Sequence, residues 1–368
     1  MPTFPNATAN DMANALDMQA IFREDIPLID VRAPVEFNAG AFSQASNLPI
    51  LDDTQREQVG LCYSSSGPEA ATSLGHDLVS GEDRDIKVAA WLRFLREHPA
   101  ALLYCFRGGQ RSRIACEWLK AEGYDVPRVE GGYKALRRCL LDAMENLSPL
   151  IIIAGKTGSG KTEFLQDFDQ AIDLEGIANH RGSAFGRHIS AQPTQLNFEN
   201  ELSTRFLKLA QHSSIFVEDE GRMIGKVQLP PPLQEKMQTA SIALLEDSLE
   251  ARAERIYQEY IELQWREYGT HFGVLAMEEF SRYLLDAVDA IRKRLGNTAH
   301  SDVRGSMLEA LKHQEQLGSL EGHRDWITLL LSDYYDPMYN YQLEKKSARI
   351  KVRGSREVVT DWLFSSAE

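Results

Sequence analysis

Apolar runs and helical patterns alternate in the first third of the chain and predict an α/β fold. Short apolar runs typical of strands occur at residues 26–32, 101–105 and 126–133. Between them, residues 88–98 and 112–123 carry apolar positions every three or four residues, as amphipathic helices do. Strands that alternate with helices indicate a parallel sheet with helices on its faces.

A second α/β unit is predicted after the polar linker at residues 145–149. Residues 150–154, Leu-Ile-Ile-Ile-Ala, form the continuous apolar run of a buried strand. A glycine-rich turn follows, and a helix is predicted from Lys161. Further strands are predicted at 171–176, 213–220 and 241–246.

The remaining segments differ in character from these two units. Residues 51–87 are polar without a clear period and are predicted to be an irregular insertion. Long amphipathic helices are predicted from Ser248 to about Gly318 and again at 323–333. The predicted regions of this α/β chain are 1–144, 145–247 and 248–368. The last is a helical, partly basic section that packs on the second.

The composition, with 43% hydrophobic and 26% charged residues over 368 positions, is that of a folded protein. No apolar run approaches the roughly 20 residues of a membrane span, and the first residues lack signal-peptide features. The four cysteines show no metal-binding spacing. They are Cys62, Cys105, Cys116 and Cys139. We expect a cytoplasmic protein with reduced thiols, no structural metal and no membrane contact.

A net charge of −14 argues against a generally basic nucleic-acid binder, but the basic residues are clustered. Residues 345–356 carry six positive side chains and no acid, which is typical of a segment that contacts a phosphate backbone. The candidates are Lys345, Lys346, Arg349, Lys351 and Arg353. The cluster at 291–296 ends a predicted helix, where basic residues complement the helix dipole and are commonly just solvated.

The glycine-rich turn matches the phosphate-binding pattern G-x-x-x-x-G-K-[ST], with a predicted strand before it and a predicted helix after it. Its residues are Gly155, Lys156, Thr157, Gly158, Ser159, Gly160, Lys161 and Thr162. Backbone N–H groups of such a loop surround phosphate oxygens, while the lysine reaches the terminal phosphate and the threonine hydroxyl can hold Mg²⁺. A phosphate site is predicted, but its ligand need not be ATP.

Three further groups are candidates for the same site. Glu218 and Asp219 end a predicted strand and could position Mg²⁺, although an acidic surface turn has the same pattern. Arg252 and Arg255 share a helix and could clamp phosphate, although an exposed helix with Glu–Arg pairs looks alike. A loop predicted to follow a strand offers contacts for diphosphate or nucleic acid. Its residues are His180, Arg181 and Arg187.

Cys105 lies between a predicted strand and a predicted helix, with the spacing C-x5-R to Arg111. Inward-pointing N–H groups and nearby arginines both favour a thiolate there. The predicted anion loop comprises Arg107, Gly108, Gly109, Gln110, Arg111 and Ser112. This spacing fits a phosphate-ester nucleophile, a carrier of sulfur or selenium, or a structural thiol. The other three cysteines are interpreted as bystanders.

The surroundings of Cys105 favour the chalcogen carrier. Residues 28–49, with the Asp-Val-Arg mark, the Cys105 loop and the Gly-Gly-Tyr that ends at Tyr133 resemble the rhodanese family over about 110 residues. With the phosphate loop included, the chain resembles the tRNA 2-selenouridine synthase family over most of residues 26–233. Stretches such as "LEGIANHRGSAFG", "QPTQLNFENEL" and "VEDEGRMIGKVQLP" carry this resemblance.

That resemblance implies a two-step reaction on the wobble uridine of a tRNA anticodon. Geranyl diphosphate first alkylates the sulfur of 2-thiouridine, and selenium from selenophosphate then displaces the geranylthio group. It implies selenophosphate and geranyl diphosphate as co-substrates, with Cys105 serving the selenium step and Lys161 and Mg²⁺ the diphosphate.

Three alternatives remain open at the level of sequence. The phosphate loop could hydrolyse ATP to drive a rhodanese-type sulfurtransferase. The cysteine loop could be a phosphatase fused to a phosphate-loop domain, although no aspartate general acid can be assigned from the sequence. The chain could also be a non-catalytic tRNA-binding scaffold, which a functional Cys105 argues against.

Overall fold

The computed structural model describes residues 17–366, which form two compact units. The first unit contains the described residues up to Asn146 together with Thr194–Ala210. The second contains Leu147–Pro193 and the described residues from Gln211 onward. The segment at 194–210, which lies inside the predicted 145–247 region, therefore makes its contacts in the first unit.

The first unit is built on a three-stranded parallel sheet. Its strands are β1 (Leu28–Asp30), β2 (Ala45–Asn47) and β3 (Leu102–Tyr104), in the order β2-β1-β3. The predicted strands at 26–32 and 101–105 are confirmed. The strand predicted at 126–133 is wrong, since only Arg128 forms a single bridge to Leu103. Pro127 lacks an N–H donor, and two glycines with positive φ turn the chain into the next helix.

Helices cover both faces of this sheet because alternate strand residues point in opposite directions. Ile29 and Leu103 join a core that includes Trp91 and Leu119, whereas Leu28 and Leu102 join another that includes Phe22 and Leu140. The helices of this unit are Met18–Arg23, Pro34–Ala39, Asp53–Leu78, Gly81–Glu97, Gln110–Ala121, Gly132–Glu145 and Gln195–Lys208. The helices predicted at 88–98 and 112–123 are confirmed, although the first begins seven residues earlier, at Gly81, and the second two residues earlier, at Gln110.

The irregular insertion predicted at 51–87 is wrong, because this segment is helical. Asp52 and Gln55 form a capping box at its start. Gly67, at φ 86°, and Pro68 interrupt the helix Asp53–Leu78, and the Gln55 side chain donates back to the Leu78 carbonyl at 3.4 Å. The segment is thus a bent pair of helices. Ala71 is the only buried residue of the helix Asp53–Leu78, so the apolar pattern of this helix is weak.

The second unit contains a five-stranded parallel sheet and a small hairpin. Its strands are β4 (Leu150–Gly155), β5 (Ala171–Ile172), β6 (Ile215–Glu218), β7 (Met223–Ile224), β8 (Val227–Gln228), β9 (Ser241–Leu245) and β10 (Ile350–Gly354). The sheet order is β10-β9-β4-β6-β5, and β7 pairs with β8. The strands predicted at 150–154, 213–220 and 241–246 are confirmed.

Two features of this sheet differ from the sequence-based expectation. The strand predicted at 171–176 ends after Ile172, because the Asp173 side chain accepts from the Gly176 N–H and begins the helix Leu174–Ala178. The loop that carries His180 therefore follows a helix rather than a strand. The basic segment at 345–356 contributes β10, an edge strand that was not predicted because the segment is highly charged.

The helical C-terminal section is confirmed. Its aromatic-rich core contains Tyr283, Phe280 and Trp326. The remaining helices of the unit are Lys161–Leu165, Pro231–Thr239, Leu249–Tyr257, Gln264–Phe272, Ala276–Leu295, Asn297–Leu317, His323–Leu330, Asp336–Lys346 and Arg356–Ser366. Two segments, Gln258–Leu263 and Leu331–Tyr335, are π-helical. The predicted α/β class is thus confirmed, and none of the helices described could cross a membrane.

Candidate functional site

Cys105 lies immediately after β3 and is 3% exposed. Its Sγ atom is 3.2 Å from the Ser112 hydroxyl, which in turn donates to the Gly109 carbonyl at 3.1 Å. Gly109 is the N-cap of the helix Gln110–Ala121 and provides no side-chain cap. The N–H groups of that first turn have no intrahelical acceptors, so they can bind an anion carried by Cys105.

Two glycines allow the backbone to pack tightly around Cys105. Gly108 and Gly132 both have positive φ, at 62° and 56°. A Cβ atom on Gly132 would lie 2.1 Å from the Cys105 carbonyl oxygen. The adjacent Tyr133 N–H donates to that oxygen at 2.9 Å. The Gly-Gly-Tyr sequence that ends at Tyr133 therefore packs directly against the backbone of the cysteine loop.

The Asp-Val-Arg sequence at residues 30–32, where β1 ends, contacts Tyr133 next to the same loop. Arg32 and Asp30 form a buried bidentate pair, with 2.6 Å between Nη2 and Oδ2. The Arg32 guanidinium lies 4.1 Å from the centre of the Tyr133 ring. Two sequence marks more than 100 positions apart are thus in direct contact.

Arg111, which was predicted to stabilise an anion, forms an ion pair with Glu36, a residue that was not predicted from the sequence. Its Nη1 and Nη2 atoms donate to Glu36 at 2.5 and 3.1 Å. Burial raises the pKa of Glu36, but the hydrogen bonds and charge of Arg111 outweigh burial and lower it overall. The charge of Arg111 is therefore partly compensated by Glu36 in the folded chain.

The other predicted residues of this region lie further out. Arg107 is exposed, and the Gln110 side chain accepts from Thr72 at 3.2 Å. Burial raises the pKa of Cys116 to about 11 and also raises that of Cys139, which suits their interpretation as bystanders.

The phosphate loop begins at the end of β4 and has the conformation that its glycines allow. Gly158 and Gly160 adopt φ values of 81° and 75°. A Cβ on Gly158 would meet the Arg252 carbonyl at 2.7 Å. Lys161 Nζ donates to the carbonyl of Gly155, the first residue of the loop, at 3.1 Å. The helix that follows, Lys161–Leu165, is only five residues long.

Three carboxylates cluster near Thr162, of which Glu218 is buried and Glu175 and Glu220 are half-buried. The Thr162 hydroxyl donates to Glu218 at 2.7 Å, and the Glu175 N–H donates to the other Glu218 oxygen at 3.0 Å. Burial, and then repulsion among the three groups, raises the pKa of Glu175 and Glu218 to about 8 and that of Glu220 to about 7. A hydroxyl beside carboxylates that resist ionisation suits a divalent cation shared with phosphate oxygens.

Among residues 17–366, no group of three or more His, Cys, Asp or Glu side chains is arranged to hold a metal ion alone. Asp219, the second predicted acidic residue, pairs with Lys346 at 2.6 Å. Lys346 is thereby engaged within this unit and does not point freely into solvent.

The helix Asp336–Lys346 contacts the phosphate loop. Asp336 accepts from both terminal nitrogens of Arg252, at 2.8 and 2.7 Å, and from Lys156 at 3.2 Å. The Tyr339 hydroxyl accepts from the Gly155 N–H at 2.7 Å. Arg252 is 2% exposed and therefore supports the loop rather than offering a free phosphate contact. Arg255 borders the cavity and donates to the Gly158 carbonyl.

The predicted loop at 180–188 lies partly in this site. Arg181 and His188 line the cavity above the phosphate loop, which has a volume of about 550 Å³. Arg181 donates to Gln264 at 3.2 Å, whereas Arg187 is exposed. His180 pairs with Arg187 through a backbone bridge and does not line this cavity.

The basic C-terminal residues divide into two groups. Arg349 donates to the carbonyls of Met237 and Ala240, so it is a structural residue like Lys346. Lys351 and Arg353 are exposed and two positions apart on β10, so they share one face of an edge strand. Lys345 is also exposed and lies over the Tyr341 ring.

Several residues of these regions carry no local sequence signal. Asp336 and Tyr339 come from an element remote in sequence from the phosphate loop. Glu36 and Glu175 could have been found, since each lies within a stretch that carries the family resemblance.

The fold and these two regions define a chain that combines a rhodanese-like unit, bearing a cysteine loop, with a phosphate-loop unit. A family model described as a rhodanese-like domain matches residues 8–139, and one described as a tRNA 2-selenouridine synthase AAA domain matches residues 148–368. The chain belongs to the tRNA 2-selenouridine synthase family, as its resemblance predicted.

Relatives named tRNA 2-selenouridine synthase match the chain over nearly its whole length. One from Marinobacter nauticus is 47% identical over 356 residues, which is 95% of this chain and 97% of the relative. One from Shewanella woodyi is 45% identical and covers 94% of this chain and 95% of its own length. One from Shewanella sp. strain MR-7 is 47% identical and covers 93% and 95%.

Proposed function

We propose that this protein is a cytoplasmic transferase that converts 2-thiouridine to 2-selenouridine at the wobble position of tRNA. The proposal takes its substrate from the family's name and its two steps from the resemblance described above. The observation that carries it is the presence, on one chain, of a cysteine at an anion-binding loop and of a phosphate loop with a cavity beside it.

In the first step, the thiocarbonyl sulfur attacks C1 of geranyl diphosphate, the C–O bond breaks, diphosphate leaves, and the base loses its N3 proton to solvent. Lys161 and the N–H groups of the phosphate loop would stabilise the departing charge. Thr162, with Glu218 behind it, would hold Mg²⁺, which offsets diphosphate charge when bound. Alkylation is chemically useful because it turns the sulfur into a good leaving group.

In the second step, the selenium of selenophosphate attacks C2 of the base, the C–S bond breaks, and geranylthiolate leaves and takes up a proton. Water then cleaves the Se–P bond, which releases phosphate and leaves the selenium on C2. The Cys105 loop would hold the selenium donor, since its first-turn N–H groups and Arg111 favour an anion next to the thiol. Lys351 and Arg353 are the exposed basic pair that we propose for tRNA backbone contacts.

Mass analysis of anticodon nucleosides tests the two steps separately. Cells that carry Cys105→Ala should lose selenouridine and retain or accumulate the geranylated nucleoside, because only the second step needs the thiol. Cells that carry Lys161→Ala should contain unmodified 2-thiouridine, because diphosphate departure is blocked. Cys116→Ala is the matched control and should resemble wild type.

Selenouridine that persists in both Cys105→Ala and Lys161→Ala cells would disprove the proposal. Steady ATP hydrolysis without tRNA would instead favour an ATP-driven sulfurtransferase. Turnover of an aryl phosphate that depends on Cys105 would favour the phosphatase alternative.

A further inference from the structure

The cavity above the phosphate loop continues into an apolar slot within the same unit. The walls of the slot include Phe185, Trp326, Ile327, Leu330 and Leu331, none of which borders the phosphate-loop cavity itself. The residues that border both spaces are Thr157, Ser183, Ile256, Tyr260 and Tyr335. The polar cavity and the slot therefore meet along one boundary that starts at the phosphate loop.

The slot offers almost no hydrogen bonds to a ligand. Phe185 and Trp326 are stacked at 5.5 Å and are buried. The Trp326 N–H is already donated to His323 at 2.9 Å. Ser183 and Tyr260, on the boundary, lie 3.3 Å apart and share a hydrogen bond. A nucleobase would leave its polar edge unpaired here, whereas a hydrocarbon would leave nothing unpaired.

The boundary itself is adapted to a polar group. The Tyr335 hydroxyl is buried and has no hydrogen-bond partner among the described residues. An unpaired buried hydroxyl is costly, so an oxygen of a bound ligand is its natural acceptor. Tyr260 and Tyr335 come from the π-helical segments Gln258–Leu263 and Leu331–Tyr335, and π-helical turns occur frequently at functional sites.

We propose that this slot receives the end of the hydrocarbon tail of a prenyl diphosphate whose diphosphate lies at the phosphate loop. The inference rests on the proposed first step and deepens it, because it names the side chains that recognise the tail. The cavity, at about 550 Å³, is in the range of small-ligand sites, whereas the slot has only about 20 Å³ of free space. A short tail therefore fits, and a longer one must displace side chains that line the slot.

Calorimetric titration of the full chain with Mg²⁺ tests the slot directly. The ligands are pyrophosphate, geranyl diphosphate, farnesyl diphosphate and ATP. Geranyl diphosphate should bind at least about tenfold more tightly than pyrophosphate, because burying two methylene groups is worth that much. It should also bind more tightly than ATP and than farnesyl diphosphate.

Leu330→Ala enlarges the slot and should raise the ratio of farnesyl to geranyl affinity severalfold. Pyrophosphate affinity should not change, which also shows that the variant is folded. Leu329→Ala is the matched control on the same helix, since Leu329 is 37% exposed and does not line the slot. If Leu330→Ala does not fold, Ile327→Val is a milder change with the same expected direction.

Equal affinities for pyrophosphate and geranyl diphosphate, tighter binding of ATP, or an unchanged ratio in the folded slot variant would each overturn this assignment. Two other outcomes distinguish a failure of the proposed first step from a failure of the slot. Tail-dependent binding without any geranylated tRNA would leave the slot in place and remove the first step. Geranylated tRNA with no effect of the slot variant would retain the first step and remove the slot.

Discussion

Cys105 depends on glycines that differ sharply in how much space surrounds them. A Cβ on Gly132 would lie 2.1 Å from the Cys105 carbonyl oxygen and 2.6 Å from the Gly108 nitrogen. Both are backbone atoms, so only a shift of the loop could relieve the clash. A Cβ on Gly109 would meet nothing within 4 Å, and its φ of −90° is ordinary for any residue.

Gly132→Ala should therefore reduce selenouridine formation by roughly a hundredfold, since misplacing a reacting group by about 1 Å has that effect. Gly109→Ala, in the same loop, should remain close to wild type. The measurement is the selenouridine content of tRNA incubated with each purified variant, with circular dichroism to confirm folding. Equal activity of the two folded variants would show that the close packing is irrelevant to Cys105.

The sequence singled out individual candidate residues, but it did not predict which residues they pair with. Arg111 was predicted to belong to an anion-binding loop, and Lys346 was predicted as a contact for a phosphate backbone. Their partners, Glu36 and Asp219, lie 75 and 127 positions away and meet them only in the folded chain. The motif around Cys105 determines a local conformation, whereas such ion pairs depend on how distant segments are packed.

At the scale of elements, the helix Asp336–Lys346 supports the phosphate loop from a distance of about 180 positions in sequence. Arg252 is held between the Thr157 carbonyl, at 3.1 Å, and the Asp336 carboxylate. Its side chain is 3% exposed, so Asp336 is the counter-charge that makes burial of this guanidinium tolerable.

Asp336→Asn keeps the shape of the side chain and removes the counter-charge. We expect the free energy of unfolding to fall by about 3–5 kcal/mol, as it does when one partner of a buried pair is lost. Urea unfolding followed by tryptophan fluorescence measures the change. Glu246→Gln is the control, because its pair with Arg353 is about half exposed and should contribute less than about 1 kcal/mol. Equal effects of the two changes would contradict this account.

Elements with a strong apolar period were predicted, and those without one were not. β4 and the helix Ala276–Leu295 bury a clear set of apolar side chains. The helix Asp53–Leu78 buries only Ala71, and β10 alternates partly buried residues with Lys351 and Arg353. The structure of this helix depends on the bend at Gly67, and that of β10 depends on its pairing with β9.

At the scale of the whole molecule, stability should depend on pH through the carboxylates behind Thr162. The pKa values of Glu175, Glu218 and Glu220 lie near 7 to 8 in the fold, above the value of 4.5 that they have when unfolded. Between these values, the unfolded chain releases protons that the folded chain retains. The free energy of unfolding must therefore fall as pH rises, until all three carboxyl groups are ionised in the fold.

The window from pH 6.5 to 8.5 isolates this effect. Burial lowers the pKa of His323 to about 4 and also lowers that of His180 and His188, so these groups have the opposite influence, most of which lies below about pH 6.5. In buffer with a chelator, the full chain should lose roughly 1–3 kcal/mol across the window, allowing for the coupling of the three groups.

Glu220→Gln removes one of the three charges and should flatten this loss, so that the variant is more stable than wild type at pH 8.5. Glu235→Gln, at an exposed position on the helix Pro231–Thr239, should leave the pH profile unchanged. Mg²⁺ with pyrophosphate should restore wild-type stability most strongly at the alkaline end, because a bound cation favours the ionised carboxylates. A wild-type profile that is flat or rises from pH 6.5 to 8.5 would show that these carboxylates already share a compensating charge in the free protein.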